Sequence, residues 1–185
     1  LFISLITGFG FIFFSKNSNK KINFIEQLLL VIFSYFFISL LISIPFYLSN
    51  YQVTFVNSFF ESVSGLTGTG FSIFKDIKYL DPTLILWRSS SQWIGGLYFL
   101  FFLLIIFSNK QFNFKMNDLT FSVDASINSE DNIKNLLFRI FILYSILSFL
   151  IFLFLSISEV RLFNSLNLSM SLISTGGFLP TESLN

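Results

Sequence analysis

The sequence predicts an all-α membrane protein built from a repeated unit whose second copy is incomplete. Three observations carry that prediction. The chain is 54% hydrophobic and only 11% charged, whereas soluble domains carry about a quarter charged residues. Apolar runs recur that are long enough to cross about 30 Å of hydrocarbon as helices. Two small, hydroxyl-rich peptides punctuated by glycine, GLTGTGFS at 65–72 and LISTGGF at 172–178, interrupt those runs.

The composition also excludes function classes. Twenty-nine phenylalanines in 185 residues are too many for one small soluble core and suit a chain whose solvent is lipid. A net charge of +1 offers nothing to nucleic acid. With no cysteine there is neither a disulfide framework nor a thiolate metal site. With no histidine, the commonest general base and metal ligand are missing. Neither an enzyme nor a bound cofactor is expected.

The elements follow in order. Residues 1–14 are apolar and read as the end of a preceding transmembrane helix, followed by the basic stretch SKNSNKK. A first unit occupies 15–107. Its first span, about 25–48, is broken only by Glu26, Gln27 and serines, and carries Pro45 in its last turn, where it can kink the helix. A short helix at about 53–66 covers half a bilayer and leads into the glycine peptide at 67–71. After the polar stretch 75–81, Pro82 suits the first turn of a second span at 83–107. Trp87 and Trp93 lie toward its beginning and are expected to be interface anchors. Residues 108–135 form a polar cytoplasmic loop. Its acids Asp118, Asp124, Glu130 and Asp131 read as a solvated face, since a calcium loop needs closer spacing and a turn glycine. The second unit, 136–185, has a span at about 136–158, a short helix at about 164–173 and a glycine peptide at 174–178. A chain that starts at Leu1 within an apolar run and stops after this peptide is expected to be a fragment of a longer protein.

The two glycine peptides align within the chain. With Gly70 set on Gly177, an offset of 107 (177 − 70), residues 56–71 fall on 163–178. Six of the sixteen positions are identical: Asn57 with Asn164, Ser58 with Ser165, Ser62 with Ser169, Ser64 with Ser171, Gly70 with Gly177 and Phe71 with Phe178. About one or two matches are expected by accident, so a true repeat is favoured. Two spans flanking a re-entrant short helix return the chain to its starting side, so successive copies are parallel. The lysines Lys16, Lys20, Lys21, Lys110, Lys115 and Lys134, with Arg139, outweigh Lys75, Lys78, Arg88 and Arg161. That bias places the glycine peptides in the extracytoplasmic half.

Non-helical backbone at membrane depth is tolerated only where it is buried in protein or lines a watery cavity. Glycine admits positive φ, so carbonyls can be turned to one side. A ring of carbonyls can replace the water around a cation. The hydroxyls of Thr67, Thr69, Ser174 and Thr175 add oxygens or brace the loop. Two short helices aimed inward by their C-terminal ends bring partial negative charge to the same place. Small residues in membrane helices also mediate close packing, and for one peptide alone that reading competes. The second copy favours the cation site.

FFESVSGLTGTGFS, followed by LWRSSSQWIGG, resembles the first pore unit of the TrkH/KtrB potassium transporters, the membrane subunits of Trk and Ktr uptake systems. STGGF resembles the same family's second filter. The resemblance covers essentially the whole chain. It implies a potassium-channel-like fold of span–pore-helix–filter–span units, four to a polypeptide, each giving one filter strand with a key glycine. Carried onto this chain, those glycines are Gly70 and Gly177, with Thr67, Gly68 and Thr69, and Ser174, Thr175 and Gly176, supplying the preceding backbone. The resemblance also implies potassium (K+) as the transported ion, a homodimer, a cytosolic nucleotide-binding regulatory subunit, and a multi-pass location in the plasma (inner) membrane. The 108–135 loop shows no clear match.

Glu61 is the one carboxylate expected inside an embedded element; it can brace the loop from behind or add negative field for cations, with bracing favoured, and the plain alternative is a position near the partly wet outer end of the short helix. Arg88 is expected to snorkel to the outer interface with some pairing to the short helix. Gly95 and Gly96 read as close-packing sites. The rival readings are a sodium or other monovalent-cation transporter of the same architecture and a membrane-embedded enzyme or assembly protein.

Overall fold

In a computed structural model, the described residues are 10, 23–108 and 130–181, and among them there are helices and no strand. The expectations for 1–14, for Lys16, Lys20 and Lys21, and for 109–129 with Lys110, Lys115, Asp118 and Asp124 lie outside the described residues. Five α-helices follow in order: α1 Phe24–Tyr47, α2 Phe55–Leu66, α3 Pro82–Ser108, α4 Glu130–Ile157 and α5 Leu162–Ile173.

Helix α1 starts where the Asn23 backbone N–H donates to the Glu26 carboxylate at 3.0 Å. The acid that interrupts the apolar run is therefore a cap in the first turn. Helix α4 starts at Glu130, earlier than the expected span. Glu130 and Asp131 thus fall in its first turn rather than in a loop. Helix α3 opens on Pro82, and the Asp81 carbonyl accepts from Leu84 and Ile85.

Among the described residues, two helices are long and apolar enough to cross a membrane, Phe24–Tyr47 and Lys134–Ile157. Helix α3 has 27 residues, about 40 Å, but its first half carries Arg88, Ser89, Ser90, Ser91 and Gln92.

Polarity is inverted relative to a water-soluble bundle. In α2 the buried residues are Ser58, Glu61, Ser62, Ser64, Gly65 and Leu66, while Phe55, Val56 and Phe60 face outward. In α5, Asn164, Ser165, Asn167, Leu168, Ser169 and Ser171 are buried, and Leu162, Phe163, Leu166 and Leu172 are exposed. Polar groups inside and apolar ones outside are what an apolar solvent selects. One apolar cluster, Ile42, Phe46, Leu66 and Leu84, packs α1, α2 and α3 together.

Helix α3 is the hub, in contact with each of the other four. The tryptophans are consumed here. Trp87 Nε1 donates to the Ile42 carbonyl at 3.1 Å and Trp93 Nε1 to Ser148 Oγ at 2.9 Å. Both indoles tie helices together, because α3 is covered on several sides and their N–H groups find internal partners. Gly95 lies against the end of α2: a Cβ there would stand 2.7 Å from the Leu66 carbonyl carbon, a backbone atom. Gly95→Ala is therefore expected to separate α2 from α3 at a cost of about 1–3 kcal/mol. It should lower the thermal midpoint of the purified full-length protein; an unchanged midpoint contradicts the packing described.

Candidate functional site

The site begins with how α2 and α5 end. Gly68 N–H donates to the Gly65 carbonyl at 3.1 Å and Thr69 N–H to that of Ser64 at 3.0 Å. At the same offset of 107 residues, Thr175 N–H donates to Leu172 at 3.0 Å and Gly176 N–H to Ser171 at 2.8 Å. Such bonds close a helix by turning one residue left-handed. Here that residue is Gly68 at φ +68° in the first loop and Thr175 at φ +54° in the second. Matching bonds recur inside the helices too. Ser58 Oγ bonds Thr54 O and Ser165 Oγ bonds Arg161 O, at 3.0 and 3.2 Å; Ser62 Oγ bonds Phe59 O and Ser169 Oγ bonds Leu166 O, at 2.7 and 2.8 Å.

Each loop thus spends its first amides on the helix behind it. In the first loop Gly70 N–H also points back to Ser64 O, at 3.4 Å. Among the described residues no donor reaches the carbonyls of Thr67, Gly68 or Thr69. The Thr67 and Thr69 hydroxyls bond each other at 2.7 Å, and Thr67 Oγ1 also donates to Val63 O. In the second loop two carbonyls have internal donors: Ser174 O accepts from Thr175 Oγ1 at 2.7 Å and Gly176 O from Ser171 Oγ at 3.2 Å.

The loops meet at their glycines. A Cβ on Gly70 would stand 2.6 Å from Gly177 Cα, and one on Gly177 would stand 3.1 Å from Gly70 Cα. Gly70 is left-handed, at φ +78°, and Gly177 is not. The first position needs glycine for conformation and space, the second for space. Gly68 lies near Ser174 O, so contact runs along both peptides.

Behind the first loop sits a buried ion pair. Glu61 is 0% and Arg88 1% exposed. Arg88 Nε donates to Glu61 Oε1 at 2.8 Å and Nη2 to Ser72 Oγ at 2.9 Å. The carboxylate also accepts from Ser72 Oγ at 3.0 Å and from Ile73 N–H at 2.8 Å. Arg88 pairs with the short helix, as expected, but is buried rather than snorkelling, and Glu61 is not at a wet helix end. It is the seventh of twelve residues in α2, facing α3, so each charge has its partner within the protein. The guanidinium also lies 4.3 Å from the centre of the Phe178 ring, next to the second loop.

Sequence reasoning assigned no role to Gln92. It lies fully buried on α3, against Ser171, Gly177 and Phe178. Arg88, Ser91, Gln92 and Gly95 fall at helical spacing on one face of α3. That polar stripe in an apolar helix was the available signal.

Among the described residues no cluster of three or more acidic, histidine or cysteine side chains exists that could hold a metal ion.

Comparison with known proteins places the chain among cation transporters. The family model TrkH, described as cation transport protein, matches residues 1–185. The chain is 29% identical over 182 residues to an uncharacterised cation transporter, MJ1485, of Methanocaldococcus jannaschii, covering 96% of the chain and 36% of that protein. It is 39% identical over 72 residues to the Trk system potassium uptake protein TrkI of Halomonas elongata, covering 39% of the chain and 15% of that protein. With the Trk system potassium uptake protein TrkG of Escherichia coli it shares 28% identity over 105 residues, 52% of the chain and 22% of that protein. The chain thus spans about a third or less of the length of these relatives.

Proposed function

This chain belongs to the TrkH family of cation transport proteins, and from that membership we propose that it supplies two of the strands of a potassium-selective filter in a Trk/Ktr-type uptake protein. The strands are Thr67, Gly68, Thr69 and Gly70, and Ser174, Thr175, Gly176 and Gly177. α1, α2 and α3 form one span–pore-helix–span unit, and α4 and α5 begin the next. The observation that carries the reading is the meeting of two non-helical peptides at Gly70 and Gly177, each closing a short helix with the same hydrogen bonds. Turning amides back to the helix leaves carbonyls of the first loop free to replace water around an ion. The C-terminal ends of α2 and α5 add partial negative charge beside them. The chemistry is desolvation and coordination, with no covalent step.

The whole protein is proposed to sit in the inner membrane as a homodimer with a cytosolic nucleotide-binding regulatory subunit, as the resemblance implies. In a bacterium lacking its own potassium uptake, the full-length protein is expected to restore growth at low potassium. It should take up potassium in preference to sodium when the two compete. Equal uptake of both ions, or preference for sodium, replaces this reading with a transporter of other monovalent cations.

A further inference from the structure

We propose that Gln92 is a positioning residue for the second loop: from the helix that ends the first unit it clamps 174–178 and so contributes to ion discrimination by the neighbouring unit. The inference deepens the filter reading above and rests on it.

The clamp is a closed set of hydrogen bonds. The Gln92 amide is assigned with its oxygen toward two backbone N–H groups, the orientation that satisfies every atom. Oε1 then accepts from Gly177 N–H at 3.0 Å and Phe178 N–H at 3.1 Å, and Nε2 donates to Ser171 Oγ at 2.7 Å. That leaves the Ser171 hydroxyl proton for the Gly176 carbonyl, at 3.2 Å. One neutral side chain thereby fixes two amides directly and one carbonyl through a hydroxyl. It determines which oxygens of the loop remain for a cation, and it adds no charge to the ion's surroundings.

An independent observation is the difference between the two copies. Position 176 is glycine where the aligned position 69 is threonine. A Cβ at Gly176 would run into the Gln92 carboxamide. The aligned serines differ in the same sense: Ser171 Oγ bonds Gln92, while Ser64 Oγ is buried without a partner among the described residues. A single side chain accounts for both departures from the repeat.

The test uses the full-length protein in a potassium-uptake-deficient bacterium. Gln92→Leu keeps the volume and removes the acceptor. It is expected to raise the KM for potassium and to reduce the potassium-over-sodium preference, each by about tenfold, the scale of one lost hydrogen bond. Gln92→Glu keeps an acceptor for the two amides but buries a charge and cannot donate to Ser171 Oγ, so it is expected to recover only part of that loss. If Gln92→Leu only lowers Vmax in step with the amount of protein in the membrane, Gln92 is merely structural and the proposal fails. A second measurement reads the clamp without transport. Gly176→Ala is expected to lower the thermal midpoint in detergent, since the added methyl overpacks the contact, and Gln92→Ala in the same chain should recover much of that loss. Strictly additive effects overturn the clamp whichever ion is carried. If instead the wild-type protein shows no potassium preference, the filter reading fails and with it the discriminating role, while the thermal cycle still decides the contact.

Discussion

Gly70→Val is expected to reduce potassium uptake by the full-length protein at least tenfold, with the protein still present in the membrane. Two separate costs fall on this one position. Its φ of +78° belongs to the left-handed region, where an ordinary side chain costs about 1–2 kcal/mol and a β-branched one more. The added Cβ would also stand 2.6 Å from Gly177 Cα and 2.8 Å from Gly177 N, atoms of the opposing backbone that no rotamer change can move. The loops must part, and the carbonyl oxygens of the proposed filter are displaced with them. Gly68 is the control. It too is left-handed, at φ +68°, but a Cβ there would lie 3.4 Å from its nearest neighbour, Ser174 O. Gly68→Ala therefore incurs the conformational cost alone and should retain much more uptake. Radioactive rubidium or potassium uptake, normalised to membrane protein by immunoblot, separates the two variants. Wild-type uptake and ion preference in Gly70→Val removes the glycine contact from the mechanism.

What was legible in the sequence is mostly what repeats or what lipid selects. The 107-residue offset could be read because Asn57, Ser58, Ser62, Ser64, Gly70 and Phe71 each have their counterpart; in the structure the pairs Ser58 with Ser165 and Ser62 with Ser169 make matching hydroxyl bonds, and the carbonyls of Ser64 and Ser171 accept matching loop amides. Helices α1 and α4 announce themselves because every backbone group in hydrocarbon must be bonded within its own segment. Apart from the expected pairing of Arg88 with the short helix, contacts between elements far apart in sequence were not legible. The burial of Arg88 depends on Glu61, 27 residues away, and that of Trp93 on Ser148, 55 away. Each residue alone reads as an interface residue, since long amphipathic side chains favour interfaces unless a partner lies within the protein. Gln92 was hidden for the same reason, although the Thr69-to-Gly176 change records its presence. Nor does a glycine reveal why it is one: Gly70 and Gly177 align, yet only the first is left-handed. Thr175, with no glycine signature, carries the conformation that Gly68 has in the first copy.

Separating the buried charges should have the largest effect on folding. Arg88→Met leaves the Glu61 carboxylate fully buried, with only Ser72 Oγ and Ile73 N–H as donors. Glu61→Gln leaves a buried guanidinium, one of whose nitrogens, Nη1, already has no partner among the described residues. Removing one member of such a pair costs about 3–5 kcal/mol, because the remaining charge stays out of water uncompensated. Against a typical total of about 5–15 kcal/mol, either single variant should sharply lower the amount of folded protein recovered from membranes. Glu61→Gln combined with Arg88→Met removes both charges and should recover a substantial part of that loss. Transport should not recover in parallel. Arg88 Nη2 also holds Ser72, just after the first loop, and the guanidinium lies over Phe178, just after the second. Arg88→Lys makes the same distinction with the charge kept, since a point ammonium cannot reproduce the bonds that Nε and Nη2 make in different directions. It should fold better than Arg88→Met and still transport poorly. Detergent-extracted yield, thermal midpoint and uptake, measured on the same four variants, test this account. Single variants as stable as wild type, or a double variant showing the full sum of both losses, would mean the pair is not buried and coupled as described.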